Sequence, residues 1–182
     1  RHANVRKIAD IARLAAALTS DANDLTLPEF ARLVDAFYLG GTKNGTLFGE
    51  ALVITRPELT HDFFRMKKRM GAVMEKGWLQ GVQFEAILKD NLYFDMARHA
   101  NVLAGRLQEG VKALGLPLMT ESCTNQIFPI VKNELRPRLE QVCAFEDWCP
   151  FDAEHTVIRF VTCFHTTQED VDALLSELKK LL

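Results

Sequence analysis

The fold of this chain is decided by the stretch Phe37-Tyr38-Leu39-Gly40-Gly41-Thr42-Lys43-Asn44-Gly45-Thr46-Leu47-Phe48-Gly49. Two short apolar runs, 36–39 and 51–54, flank a glycine-rich segment with one lysine, Lys43. Runs of this length and composition are typical of buried strands. Because glycine has no Cβ, the backbone between them can turn tightly and approach a ligand closely. The pattern predicts two buried strands joined by a tight loop that presents Lys43.

Two interpretations of Lys43 follow from this segment. A lysine amine in a suitable site attacks carbonyl groups, and the surrounding glycines leave room for a bulky aldehyde cofactor. The alternative is a solvated lysine in a hairpin turn. A phosphate-binding P-loop is a poorer match, because that motif requires Gly-Lys-Ser/Thr. Here Thr42 precedes the lysine and Asn44 follows it.

A carboxylate and a guanidinium, those of Asp10 and Arg13, lie upstream of the loop. An aspartate can keep a pyridine nitrogen protonated, and an arginine can bind a carboxylate with two parallel hydrogen bonds. The apolar residues around them, from Val5 to Leu18, fall at helical spacing and predict an amphipathic helix. The alternative is therefore an exposed Asp and Arg on a helix.

The rest of the chain predicts helices followed by a small sheet. Residues 56–114 show an almost wholly helical pattern, and the runs 126–131, 142–145 and 157–161 are typical of strands. A final amphipathic helix follows from about residue 168 to the end. This order predicts a small α+β domain with an antiparallel sheet after about residue 115.

Three further polar residues stand out. Arg159 is a single charge within an apolar run, so it either faces water or binds an anion. Lys76 follows a basic cluster at 67–69, which is commonly a solvated helix face. His99 lies on the predicted apolar face of a helix, where a hydrogen-bonded core histidine is a better interpretation than a metal ligand.

Composition excludes several classes of protein. The 182 residues are 48% hydrophobic and 25% charged, as in an ordinary soluble domain, with a net charge of −2. Without a basic run we expect no nucleic-acid partner, and without a long apolar stretch we expect no membrane partner. The four cysteines form no metal or disulfide pattern, which indicates reduced thiols of a cytoplasmic protein.

Taken together, these segments resemble the threonine aldolase (β-eliminating lyase) family from about Asp10 onward. The lysine loop and the strand after it are the most specific part of the match. The stretches that carry it are, in order, 10–14, 17–20, 37–54, 68–84, 123–128 and 158–162.

The resemblance implies an α/β fold of the aspartate-aminotransferase type (fold type I), the fold of many enzymes that use pyridoxal 5'-phosphate. This chain would be its carboxy-terminal part. Residues 1–90 would form the remainder of the cofactor-binding large domain, with the lysine loop. Residues 91–182 would form a linking helix and a small carboxy-terminal α+β domain.

The resemblance also implies roles for single residues. Lys43 would be the catalytic lysine that binds pyridoxal phosphate as a Schiff base, and Asp10 would pair with the pyridine nitrogen. Thr42 and Lys76 would be further cofactor contacts, Lys76 at the phosphate of a neighbouring subunit. Where the family usually has glycine after the aspartate, this chain has Ile11.

Arg13 and Arg159 would lie near the carboxylate of an amino-acid substrate, and Arg13 also near the cofactor oxygens. The reaction implied is cleavage of threonine or allo-threonine to glycine and an aldehyde, in a homodimer or homotetramer. Two alternatives remain. One is another reaction of the same cofactor, such as β-elimination or transamination, and the other is a truncated non-catalytic paralogue.

The family builds its phosphate cup, its ring-stacking histidine and the strand before the aspartate from sequence that would precede Arg1. Only nine residues precede Asp10 here, and their spacing predicts helix and not strand. We therefore expect these 182 residues alone not to sustain aldolase activity.

Overall fold

The computed structural model describes residues 7–9 and 11–182, which divide into two compact units. The first unit holds the described residues up to Leu18 together with Asn23–Asp95. The second holds Thr19–Ala22 and Met96–Leu182. In the described part of the chain, no helix is long and apolar enough to cross a membrane.

The first unit is built on a three-stranded sheet in the order β1 (Ile8–Ala9), β2 (Ala36–Gly40), β3 (Glu50–Ile54). Strand β1 is parallel to β2, and β2 is antiparallel to β3 with Phe37 opposite Val53. Phe37 and Leu39 are buried, as predicted, whereas no residue of Glu50–Ile54 is fully buried, so the burial predicted for the second strand is wrong. The elements are β1 (Ile8–Ala9), α1 (Leu14–Leu18), α2 (Leu27–Leu33), β2 (Ala36–Gly40), β3 (Glu50–Ile54), α3 (Phe63–Arg69) and α4 (Trp78–Leu88).

The helix predicted at the start of the chain is wrong in its first half. Ile8 and Ala9 form strand β1, and only Leu14–Leu18 are helical. The parallel partner that makes Ile8 and Ala9 a strand is β2, nearly thirty residues away in sequence. A strand, and not the predicted helix, therefore lies before Asp10 in the chain. Asp10 itself lies outside the described residues.

The helix α5 (Leu92–Ala113) contributes residues to both units, which divide it after Asp95. Its buried residues recur every three or four positions, as expected of a helix with one apolar face. In the second unit this face packs into a core with the strands of that unit and with helix α7 (Gln168–Leu181). The core includes Leu103, Leu107, Val111, Ile127, Ile158, Phe160, Val171 and Leu178.

The second unit contains an antiparallel sheet centred on β7 (His155–Val161). Strands β4 (Gln126–Ile127) and β5 (Ile130–Lys132) pair with successive parts of one edge of β7, and β6 (Glu146–Pro150) pairs with the other. Helices α6 (Arg136–Leu139) and α7 (Gln168–Leu181) complete the unit. The small α+β domain with an antiparallel sheet is thus present, although the strand predicted at 142–145 lies at β6 instead.

Candidate functional site

The loop that carries Lys43 connects β2 to β3 in the first unit. The two strands are paired up to Gly40 and Glu50, so residues 41–49 form the connection. Thr42–Asn44 make one turn of 3-10 helix, and Lys43 is exposed at its centre. A short turn at the end of a buried strand holds the lysine main chain in a defined place, while its long side chain remains free to extend.

The carboxylate of Glu50 closes the base of this loop. One oxygen accepts a hydrogen bond from the Gly41 backbone N–H at 3.1 Å, and the other accepts one from the Thr42 hydroxyl at 3.2 Å. Glu50 is the first residue of β3, so the loop is tied back onto the strand that follows it. Glu50 therefore holds the hydroxyl of Thr42, the residue that precedes Lys43, in one position.

Tyr93 ties the same loop to the start of α5. Its hydroxyl donates to the Gly40 carbonyl at 3.0 Å, and its own carbonyl accepts from the Asn44 amide at 2.6 Å. Tyr93 is 1% exposed, and burial, assisted by the charge of Glu50, raises its pKa to about 12. Its hydroxyl therefore stays protonated, and stays a donor, at any physiological pH.

Gly40 marks a close approach between two backbone segments. A Cβ at this position would lie 2.0 Å from the carbonyl oxygen of Ala12. Only glycine permits this contact, which places the segment after β1 directly against the end of β2. Ala12 immediately precedes Arg13, and Gly40 is three residues before Lys43. The structure thus brings the chain next to Arg13 close to the end of β2, from which the lysine loop begins.

The remaining candidates of the first unit differ in their surroundings. Arg13 is half-buried at the start of α1. Lys76 lies between α3 and α4, is exposed, and pairs with the neighbouring Glu75 at 3.3 Å. This contact is weak, as is usual for an exposed ion pair, and it leaves Lys76 able to exchange partners.

The side chain of Arg159, in the second unit, is mostly buried and contacts several other side chains. It lies mid-strand in β7 with its side chain 17% exposed. Its Nη1 donates to the Gln126 side-chain oxygen at 2.9 Å, its Nη2 pairs with Glu146, and its guanidinium lies 5.0 Å from the centre of the Trp148 ring. The Nε atom is buried without a hydrogen-bond partner among the described residues. These contacts hold the guanidinium in one orientation.

His99 is not a core residue, contrary to the sequence interpretation. It is exposed and hydrogen-bonds the Thr166 carbonyl at 2.8 Å. Within residues 7–9 and 11–182, no cluster of His, Cys, Asp and Glu is arranged to hold a metal ion.

Sequence inspection missed the residues that position the candidates: Glu50, Tyr93, Asn44 and Gln126. Glu50 carried a detectable signal, because it is a charged residue at the start of an apolar strand. Gln126 likewise opens an apolar run. Tyr93 and Asn44 carried no such signal. A buried tyrosine in a helical pattern is ordinarily a core residue.

Comparison with solved structures identifies the fold. The chain superposes on a serine palmitoyltransferase from Sphingomonas wittichii with a TM-score of 0.66 at 16% identity, covering 96% of this chain and 46% of that one. The fold is therefore that of the aspartate-aminotransferase type (fold type I), as expected. No protein-family model matches the chain.

Within that class the resemblance to threonine aldolases is confirmed. The chain is 40% identical to the threonine aldolase of Leishmania major, with a TM-score of 0.87 over 96% of this chain. It is 33% identical over 96 residues to the low specificity L-threonine aldolase of Pseudomonas aeruginosa, covering 52% of this chain. The chain spans 51% of the Leishmania protein and 28% of the Pseudomonas protein.

We predict that Gly40→Ala destabilises the first unit strongly, because the added methyl group would collide with the backbone of Ala12. Overpacking against fixed backbone costs roughly 1–3 kcal/mol or more. Gly81→Ala in α4 is the matched control, since a Cβ there meets no atom within 4 Å. Urea unfolding of both variants is the measurement. Equal stability of Gly40→Ala and the wild type would contradict the close approach.

Proposed function

We propose that the protein carrying this chain is a pyridoxal-phosphate-dependent lyase. It cleaves a β-hydroxy-α-amino acid, threonine or allo-threonine, to glycine and an aldehyde. The observation that carries the proposal is the lysine loop, held by Glu50 and Tyr93, in a chain 40% identical to a threonine aldolase over 96% of its length.

The residues of the loop fit the cofactor. Lys43 offers an amine at the centre of an exposed turn, with the Thr42 hydroxyl beside it in the chain. The close contact of Ala12 with Gly40 supports a place for Arg13 next to this turn. By the family resemblance, Asp10 would pair with the pyridine nitrogen. Lys76 would reach a phosphate in a neighbouring subunit, and its exposure is compatible with that role.

Each residue then has a distinct task. Lys43 would hold the cofactor through its side-chain amine. By the family resemblance, Arg13 and Arg159 would be the arginines that bind the substrate carboxylate. When bound, pyridoxal phosphate supplies the electron sink that makes cleavage possible. Tyr93 and Glu50 act indirectly by fixing the turn on which Lys43 lies.

We further propose that the protein assembles from like subunits, as a homodimer or homotetramer. Helix α4 is rich in apolar residues, yet only Ile87 in it is buried. With α3 and the segment between them it forms what we call the α3–α4 apolar surface. Its exposed members are Phe64, Met66, Met70, Val73, Met74, Trp78, Leu79 and Val82. Apolar exposure on this scale marks an interaction surface.

Two broader assignments complete the proposal. Residues 1–90 would be the remainder of the cofactor-binding domain, and residues 91–182 the linking helix and small domain.

All four cysteines are free thiols, with Cys143 held protonated because burial raises its pKa. Free thiols support a reducing, cytoplasmic location.

We predict that Lys43→Ala in the natural full-length protein removes the visible absorption of bound cofactor and nearly all turnover of threonine. The reason is that the covalent attachment point is lost. Lys89→Ala, an exposed lysine of the same unit, is the control and should retain both. Absorption spectra and acetaldehyde release are the measurements. Retained absorption and turnover in Lys43→Ala would refute the assignment.

We predict that Arg159→Lys raises KM for threonine about tenfold, because lysine cannot reproduce bidentate binding of a carboxylate. Cofactor absorption should not change. Arg138→Lys, an exposed arginine of the same unit, should leave KM as in the wild type. If Arg159→Lys also leaves KM unchanged, Arg159 does not bind the substrate.

We predict that Met70→Glu combined with Trp78→Glu lowers the assembled mass of the protein. The two charges would be buried without partners if the α3–α4 apolar surface is an interface between subunits. Val102→Glu, at a residue 65% exposed on α5, is the control and should leave the mass unchanged. Light scattering coupled to gel filtration measures the result. An unchanged mass for the double variant would exclude this surface as the interface.

A further inference from the structure

The guanidinium of Arg159 is held from both neighbouring strands of its sheet. Gln126 lies on β4 and Glu146 on β6, at opposite edges of β7. The Gln126 contact, at 2.9 Å, fixes Nη1, and the Glu146 contact fixes Nη2. The guanidinium plane therefore spans three strands and cannot swing along the sheet without losing one contact.

An aromatic surface adds a third restraint. Trp148 lies where the pairing of β6 with β7 shifts register, between Asp147 and Cys149. Its ring lies 5.0 Å from the guanidinium carbon and contacts the Phe128 ring at 5.2 Å. Stacking of this kind favours one orientation of the guanidinium plane.

The two hydrogen-bond partners of Arg159 differ in charge and exposure. Glu146 is a carboxylate, 58% exposed, directly opposite Arg159 across the strands, as in an ordinary cross-strand ion pair. Gln126 is a half-buried neutral amide. An amide orients Nη1 without cancelling any of the positive charge that an anion would need. Of the two hydrogen-bond partners, only Gln126 therefore positions the guanidinium without neutralising its charge.

We propose that Gln126 is a positioning residue that orients Arg159 for the carboxylate of the substrate. This inference rests on the proposed function of Arg159 and deepens it. Gln126 does not touch the substrate. Its hydrogen bond to Nη1 keeps the guanidinium plane in one orientation.

The test uses the natural full-length protein loaded with pyridoxal phosphate. Gln126→Met removes the acceptor at similar size, and we expect KM for threonine to rise about fivefold to tenfold with kcat within about twofold. Calorimetry with glycine should show the same loss of affinity. Gln126→Glu keeps an acceptor but adds a competing negative charge, so it should raise KM as well. Gln141→Met, at an exposed glutamine of the same unit, is the control.

A double-mutant cycle separates positioning from a merely structural role. In the Arg159→Lys background, Gln126→Met should change KM by less than about twofold, because the two residues act through one group. Additive effects, or a wild-type KM in Gln126→Met, would overturn the inference. If Arg159→Lys itself leaves KM unchanged, the proposed role of Arg159 fails first. A raised KM in Arg159→Lys with a wild-type KM in Gln126→Met refutes only the positioning role.

Discussion

The reciprocal contact between Tyr93 and the lysine loop is the constraint on which the candidate site depends. The tyrosine hydroxyl holds the carbonyl of Gly40, and its backbone carbonyl holds the side chain of Asn44. These two points lie on either side of Lys43 in the chain. Both hydrogen bonds are buried, so losing one would leave a buried polar group unpaired, which costs roughly 1–3 kcal/mol. The turn therefore has one favoured conformation.

Arg159 shows the same principle in the second unit. A charged residue in the middle of a strand is costly unless it is paired. Here Gln126, Glu146 and Trp148 contact the guanidinium, stabilise its charge and together fix its plane. In both units, hydrogen bonds to neighbouring elements fix the position of a cationic residue, at the main chain around Lys43 and at the guanidinium of Arg159. Such preorganisation is what binding and catalysis require of a scaffold.

The sequence pattern predicted those elements whose residues are buried along one strand or one helix face. Strand β2 and helix α7 are of this kind, whereas β3 was predicted at the right place although none of its residues is fully buried. Strand β1 was missed because two residues of a parallel strand carry no period of their own. Strand β6 was missed because Glu146, Asp147 and Trp148 are exposed, so pairing with β7 makes this strand, not hydrophobicity.

The most direct test of the central claim is to find which lysine carries the cofactor. The natural full-length protein is incubated with pyridoxal phosphate, reduced with borohydride, digested, and mapped by mass spectrometry. We expect the pyridoxyl group on Lys43, in a peptide that contains Gly40 and Asn44. A pyridoxyl group on another lysine, with Lys43 unmodified, would contradict it.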